Sequence, residues 1–212
     1  QRYGVPAVHF VAPQYWGWAP WRAPAYARAI ERALTILPFE PAWFERRGVR
    51  AVHVGHPLLD HVAHVPVTRP AADSRELVLL PGSRASVITR NLPWMLALVR
   101  DGYAELGRPP VAILHDDETQ RARLEQLARE HGAGLDLRVS IGALHADLAR
   151  ARAALSVSGT VLSDLLQHRL PAVVIYRLGG RREAWLGRHF LTAPWFASTN
   201  LLAGRELLPE FA

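Results

Sequence analysis

Short apolar segments alternate with longer amphipathic segments along the chain, and this alternation predicts a parallel α/β protein. Several short segments are uninterrupted runs of leucine, isoleucine, valine or alanine, as expected for strands that are covered on both faces. Apolar residues recur every three to four positions in Thr119–His131 and Leu144–Ala151, which predicts helices there. The predicted strands are Val5–Val11, Leu34–Leu37, Ala51–Val54, Glu76–Leu80, Val111–Leu114, Leu137–Val139, Ala154–Val157 and Ala172–Tyr176.

The segment between about His61 and Arg75 interrupts this alternation, because it holds two prolines and shows neither helical periodicity nor a clear strand. We interpret residues 63–75 as a linker between two domains. Residues 1–62 supply only three predicted strands, which indicates a remnant of a Rossmann-like domain. Residues 76–212 hold about four βα units, enough for a complete doubly wound domain.

The charge balance is unusual, because all 25 basic residues are arginines and the formal net charge is +6. The arginines are scattered along the chain, so we attribute the excess to coding bias and predict no nucleic-acid partner. The absence of cysteine excludes disulfides, thiolate nucleophiles and sulfur-ligated zinc. No apolar run approaches the roughly 20 residues of a spanning helix, and the first residues lack the pattern of a signal peptide.

Several common active-site motifs are missing from the sequence. There is no G-x-x-x-x-G-K-[ST] phosphate loop, no G-x-G-x-x-G after a strand, no G-x-S-x-G elbow and no H-E-x-x-H. Their absence argues against P-loop NTPases, simple NAD enzymes, hydrolases of the elbow type and zincins.

Two turns at the predicted carboxyl ends of strands carry the strongest candidate chemistry, because open α/β sheets bind ligands at that edge. In the first, a buried strand runs into Gly82, Ser83 and Arg84 just ahead of a helix. In the second, Ser158–Thr160 precede the predicted helix Val161–Gln167. Glycine lets backbone N–H groups approach an anion, and arginine can grip a phosphate in a bidentate way. We therefore predict phosphate binding at both turns.

Other polar clusters receive weaker interpretations. Asp164 follows Thr160 on the same side of the predicted helix, where it could accept hydrogen bonds from ribose hydroxyls. The acidic run His115–Glu118 suits a helix N-terminus, and we predict no catalytic role for it. Four histidines form two pairs at a spacing of three, but glycine and proline around the first pair favour solvated or structural histidines over a metal site. These histidines are His53, His56, His61 and His64.

Tryptophans are concentrated near the start of the chain, in a proline-rich segment that contains Trp16, Trp18 and Trp21. Exposed indoles would suit a membrane interface or an acyl chain, whereas core packing accounts for at least half of them.

Seven short blocks resemble, in the same order, the motif series of the lipid-A-disaccharide synthases, a family of GT-B glycosyltransferases. The blocks span essentially the whole chain with plausible spacing, so the series is specific although each block alone is weak. The blocks are Ala12–Trp18, Leu37–Glu40, Val54–Leu58, Leu80–Arg84, Ser158–Thr160, Tyr176–Arg177 and Asn200–Glu206.

The resemblance implies a hexosyltransferase of lipopolysaccharide biosynthesis. This enzyme would join UDP-2,3-diacylglucosamine to 2,3-diacylglucosamine 1-phosphate, forming the lipid A disaccharide and releasing UDP. The implied fold is α/β of GT-B type, with two Rossmann-like domains and the donor in the cleft. The resemblance also implies no metal ion, no cofactor and a cytoplasmic location, peripheral to the inner membrane.

The resemblance extends the candidate site beyond the two turns. It places Ile141 and Gly142 at uracil through backbone groups, Asp164 at the ribose, and Asn200 and Glu206 on the donor side. It places Gly55, His56 and Pro57 near an interdomain hinge. The complete set predicted to bind the nucleotide sugar is Gly82, Ser83, Arg84, Ile141, Gly142, Ser158, Gly159, Thr160, Asp164, Tyr176, Asn200 and Glu206.

The chain also departs from the family pattern. The family's N-terminal region, which carries the acidic residue usually cast as base, and its C-terminal tail are expected to be missing, so no catalytic base is assigned. Val87 stands where the family often has glutamate, and Asp164 replaces a glutamate. Two alternatives stay open. One is another GT-B enzyme of UDP-sugars, either a transferase or an epimerase. The other is a non-catalytic module that binds anionic lipid or RNA.

Overall fold

The computed structural model describes residues 5–57, 60, 73–177 and 192–211. These residues form two compact units. The first unit comprises residues 5–57, 60 and 192–194, and the second comprises residues 73–177 and 195–211. Most of the predicted linker at 63–75 lies outside the described residues. No helix in the described ranges is long and apolar enough to cross a membrane.

The first unit contains a three-stranded parallel sheet with short helices. Its strands are β1 (Val8–Phe10), β2 (Arg32–Thr35) and β3 (Ala51–His53), in the order β1-β2-β3. The helices of its described part include α1 (Tyr15–Trp18), α2 (Ala23–Ala29) and α3 (Glu40–Glu45), with a 3₁₀ turn at Pro20–Arg22. The sheet confirms the three strands that the sequence predicts in this region.

Two of these strands are displaced from their predicted bounds for local reasons. Strand β1 ends before Val11, whose positive φ of 59° is incompatible with an extended strand. Strand β2 ends at Thr35 because the next two backbone N–H groups bond to a carboxylate instead of a neighbouring strand. Glu40 Oε2 accepts from the N–H groups of Ile36 at 3.1 Å and Leu37 at 2.8 Å. Trp16 Nε1 donates to the other oxygen of this buried carboxylate at 2.9 Å.

The first unit also includes a short segment from late in the chain. The backbone N–H of Thr192 donates to Gly17 O at 3.0 Å, and its hydroxyl donates to Trp16 O. The structure therefore differs from the predicted division at this point, because residues 192–194 fall within the predicted domain 76–212 but belong to the first unit. This pairing depends on contacts between distant residues, which the local sequence pattern does not contain.

The second unit is built on a six-stranded sheet in which every neighbouring pair is parallel. The strand order is β6-β5-β4-β7-β8-β9, which is the Rossmann order 3-2-1-4-5-6. The structure thus confirms the predicted α/β class and the Rossmann-like second sheet. The strands are β4 (Glu76–Leu80), β5 (Val111–His115), β6 (Leu137–Ile141), β7 (Ala151–Val157), β8 (Ala172–Ile175) and β9 (Glu210–Phe211).

Helices cover both faces of this sheet. Val78 and Leu80 of β4 join one apolar cluster, whereas Leu77 and Leu79 face the other, as alternation along a strand requires. The first cluster includes residues of α7 (Val161–Gln167), and the second includes residues of α4 (Ala85–Asp101) and α5 (Arg121–His131). The remaining helices in the described part of this unit are α6 (Leu144–Leu148) and α8 (Ser198–Ala203), with a 3₁₀ turn at Glu118–Gln120.

The predicted helices agree with these elements in part. The helix Val161–Gln167 is confirmed at both ends. The predicted helix Thr119–His131 begins with the 3₁₀ turn and becomes α-helical at Arg121. The predicted helix Leu144–Ala151 is wrong at its end, because α6 stops at Leu148 and Ala151 already pairs with Glu76 as the first residue of β7.

Candidate functional site

A cleft of about 560 Å³ lies in the second unit, where β4, β5 and β7 end. Strands β4 and β7 are neighbours at the centre of the sheet. The chain continues from β4 to β5 in one direction within the sheet, and from β7 to β8 in the other direction. This reversal is the topological switch point, where doubly wound sheets bind ligands. Both predicted turns lie there, because the register pairs Leu80 of β4 with Ser156 of β7.

The first turn of the cleft connects β4 to α4. Gly82 has a φ of +101°, in the region that side-chain-bearing residues rarely adopt. Arg84 is extended at the N-cap of α4, with φ −88° and ψ 140°, and both Ser83 and Arg84 are exposed. Among the residues that the structure describes, Arg84 makes no ion pair. The turn therefore presents a guanidinium beside the first N–H groups of a helix, those of Ala85 and Ser86, which precede the first bonded N–H at Val87.

The second turn, Ser158–Thr160, connects β7 to α7. The Ser158 hydroxyl donates to Phe196 O at 2.7 Å, which fixes this residue in the protein. Gly159 and Thr160 are exposed, and a Cβ built on Gly159 would meet nothing within 4 Å. The two turns adjoin, since a Cβ built on Gly82 would lie 3.1 Å from Val157 Cγ2. The pair can offer backbone N–H groups, a hydroxyl and a guanidinium to one anion.

Charges of both signs line the cleft. Arg84 supplies positive charge where β4 ends, whereas Asp116 and Asp117 line the cleft where β5 ends. Hydrogen bonds from the Thr119 side chain and backbone hold the pKa of Asp117 below its ordinary value. The Thr119 N–H and hydroxyl donate to Asp117 Oδ1 at 2.9 and 2.7 Å. A bound anion is therefore favoured at the β4–β7 end and disfavoured at the β5 end.

An aromatic pair borders the cleft beyond β8. Tyr176 lines the cleft, and its ring stacks on Phe196 with centroids 4.9 Å apart and an interplanar angle of 11°. Phe196 also receives the Ser158 hydrogen bond through its carbonyl, so this pair supports the second turn. The motif series contains Tyr176 but not Phe196. Nothing in the local sequence signals the role of Phe196, which arises from a contact across 38 residues.

Seven of the twelve predicted nucleotide-sugar residues line the cleft, and five do not. Those that line it are Gly82, Ser83, Arg84, Ser158, Gly159, Thr160 and Tyr176. Those that do not are Ile141, Gly142, Asp164, Asn200 and Glu206. For these five residues, contact with a ligand stays a prediction.

The structure gives most of these five residues other contacts. Asn200 is fully buried, and its amide nitrogen donates to Leu208 O at 2.8 Å and to the Glu210 carboxylate at 2.6 Å. Its amide oxygen accepts from the N–H groups of Leu207 and Leu208 at 2.8 and 2.9 Å. The Glu206 carboxylate accepts from the Glu210 N–H at 3.2 Å, so both side chains hold the segment that leads into β9.

Two of the five lie near the histidines of the second unit. Gly142 donates its backbone N–H to His115 O at 2.9 Å, so this group is already used within the protein. Asp164 Oδ1 lies 4.0 Å from His145 Nε2. The resemblance assigns these two residues to uracil and to the ribose, and both assignments stay predictions.

Two buried polar side chains for which the sequence predicts no ligand contact also line the cleft. His115 is the last residue of β5 and is 9% exposed, and Asn91 of α4 is 4% exposed. Asp117 does cap the following 3₁₀ turn, as predicted for the acidic run. His115, however, belongs to the cleft wall, and its place at the end of a continuously apolar strand is the signal that could have identified it.

The predicted hinge and the first histidine pair belong to the first unit. Gly55–Pro57 follow β3, and Gly55 has a φ of +85°. A hinge function for these residues stays a prediction. His53 Nε2 lies 3.3 Å from Ile36 O, while His61 and His64 lie outside the described residues. Within the described ranges, no three His, Cys, Asp or Glu side chains form a group that could hold a metal ion.

Comparison with known proteins gives consistent matches along the whole sequence. A family model described as lipid-A-disaccharide synthetase matches residues 1–212. The lipid-A-disaccharide synthase of Pseudomonas putida is 35% identical over 217 residues, which cover 98% of this chain and 56% of that protein. The Gluconobacter oxydans synthase is 33% identical over 229 residues, covering 99% of this chain and 52% of that protein. The chain thus spans about half the length of the curated relatives it matches.

Among solved structures, the pneumococcal O-GlcNAc transferase GtfA, determined in complex with UDP and GlcNAc, aligns with a TM-score of 0.49 at 13% identity. The alignment covers 76% of this chain and 33% of that chain.

Proposed function

Because the chain belongs to the lipid-A-disaccharide synthase family, we propose that the cleft of its second unit binds the UDP portion of a UDP-2,3-diacylglucosamine donor. The observation that carries the proposal is the meeting of two turns, whose residue types suit an anion, at the switch point of a Rossmann sheet. The diphosphate lies against Gly82–Arg84 and Ser158–Thr160, away from the carboxylates of Asp116 and Asp117.

We propose that the whole protein transfers 2,3-diacylglucosamine to the 6-hydroxyl of 2,3-diacylglucosamine 1-phosphate. The bond between the donor C1 and the UDP oxygen breaks, a new bond forms from C1 to the acceptor oxygen, and a base takes the hydroxyl proton. Negative charge develops on the departing diphosphate. Arg84 and the backbone N–H groups of the two turns stabilise that charge, which lowers the barrier to leaving.

The proposed donor and acceptor both carry acyl chains, so the reaction takes place at a lipid surface. We propose that the protein is peripheral to the cytoplasmic face of the inner membrane. Trp18 and Trp21 of the first unit are 46% and 58% exposed. The Arg22 guanidinium lies 5.7 Å from the Trp18 ring centroid. Exposed indoles beside an arginine suit the boundary between headgroups and acyl chains.

Calorimetric titration of the full 212-residue chain tests the nucleotide proposal. We expect a saturable one-to-one isotherm with UDP, and at least tenfold weaker binding of UMP, because UMP has one phosphate where the two turns together hold two. Polyuridylate and vesicles containing anionic lipid serve as comparisons for a non-catalytic, charge-driven module. A protein that binds these polyanions with a steep salt dependence, and shows no saturable heat with UDP, would contradict the proposal.

A further inference from the structure

Two buried polar atoms in the cleft wall have no hydrogen-bond partner among the described residues. They are His115 Nε2 and Asn91 Oδ1. Both residues line the same cleft as the two turns. Buried polar atoms in folded proteins are nearly always satisfied, so a pair left open in a cleft indicates groups that a ligand completes.

The hydrogen bond on the other ring nitrogen fixes the role of His115. Its Nδ1 accepts from the Asp117 N–H at 2.9 Å, so in the neutral ring the proton is on Nε2. Nε2 is therefore a donor. The backbone that carries the ring is also held in place, because every residue of β5 is buried and His115 O accepts the N–H of Gly142.

A hydrogen bond within the protein also fixes the side chain of Asn91, and its remaining polar atom is an acceptor instead of a donor. Its Nδ2 donates to Val87 O at 2.9 Å, one turn earlier in α4, which leaves Oδ1 as a free acceptor. Asparagine is unfavourable inside a helix, because its side chain competes for backbone hydrogen bonds. Its position in the middle of a buried helix face therefore calls for a reason other than helix stability.

The neighbouring charges determine which part of a ligand can bind here. Asp116 and Asp117 directly follow His115 in the chain and line the same cleft, and their carboxylates disfavour a phosphate beside them. We infer that Asn91 and His115 form a subsite for an uncharged group of the sugar nucleotide that both donates and accepts a hydrogen bond. A hydroxyl or an amide has this chemistry, and either the nucleoside or the sugar can supply it. The inference rests on the proposed function.

Two substitutions of His115 separate the Nε2 donor from the rest of the ring. In His115→Asn the side-chain amide reaches the position of Nδ1, so it can keep the Asp117 contact, but it has no group at Nε2. In His115→Gln the amide extends to the position of Nε2 and can restore a donor there. We expect His115→Asn to weaken ligand binding about five- to tenfold, and His115→Gln to bind within about twofold of wild type, on the scale of one hydrogen bond.

Titration with UDP and with UDP-N-acetylglucosamine identifies the source of the group. Equal weakening of both ligands by His115→Asn assigns the subsite to the nucleoside, and weakening of UDP-N-acetylglucosamine alone assigns it to the sugar. Asn91→Leu, which keeps the side-chain size and removes the acceptor, should weaken the same ligand.

Three results would overturn the inference. If wild type binds both ligands and neither His115→Asn nor Asn91→Leu changes the affinity, the subsite is refuted while the proposed function stands. Equal losses in His115→Asn and His115→Gln would show that the ring only packs against its neighbours. If wild type binds neither uridine nucleotide, the proposed function fails, and the inference fails with it.

Discussion

Replacing Gly82 by alanine is expected to lower the free energy of unfolding by about 3 kcal/mol, through backbone strain and overpacking together. A Cβ at this position would lie 2.7 Å from Val87 Cγ1 and 3.1 Å from Val157 Cγ2. The φ of +101° adds strain that relaxation of the neighbours cannot remove. Because the turn must shift, UDP affinity should also fall. Urea denaturation of the free protein and titration with UDP measure the two effects.

Two other glycines of the second unit provide matched controls for Gly82. Gly142 has a φ of +74° but open space around it, so Gly142→Ala should cost only the backbone strain, about 1–2 kcal/mol. Gly159 has open space and no positive φ in the strained range, so Gly159→Ala should stay within about 0.5 kcal/mol of wild type. Equal stabilities for all three variants would refute the close approach of β4 and β7 at this turn.

Replacing Arg84 by alanine is expected to cost roughly 2–3 kcal/mol of UDP binding free energy, which is roughly a 30- to 150-fold rise in Kd. The side chain is exposed and makes no ion pair among the described residues, so the substitution should leave the free energy of unfolding nearly unchanged. Arg84→Lys keeps the charge but loses the planar fork, and an intermediate affinity is expected.

A second arginine separates local contact from net charge. Arg152, an exposed residue of β7, can be changed to alanine with the same loss of one positive charge. Calorimetry should give wild-type UDP affinity for Arg152→Ala and a large loss for Arg84→Ala. If the two variants lose affinity equally, and both losses disappear in high salt, UDP is held by the overall charge of the chain and not by this turn.

The two turns of the site were predictable from the sequence because their signals are local. Each consists of an apolar strand followed by glycine and a hydroxyl, with arginine in the first turn, and the chain needs no distant contact to reveal them. The close approach of the two turns is harder to predict from the sequence. It depends on β7 pairing with β4 across about 70 intervening residues, which is a property of the sheet order.

The remaining features of the site depend on burial and long-range hydrogen bonds. Asn200 belongs to a motif, but its four hydrogen bonds to residues after position 206 give it a structural role that no spacing reveals. From the sequence, His115 belongs to an acidic run at the start of a helix. In the structure it is the last residue of a strand that is buried along its whole length. Strand β9 has only two residues, too few to produce an apolar alternation.

Hydrogen–deuterium exchange of the full chain, with and without saturating UDP, tests most directly the claim that this cleft holds the diphosphate. If the two turns hold the diphosphate, UDP slows exchange at the backbone amides of 82–87 and 158–162, while exchange in the first unit stays unchanged. Arg84→Ala is then expected to remove this protection at the same UDP concentration. Binding of UDP without protection at these two turns, or with protection confined to the first unit, would show that the diphosphate does not bind there.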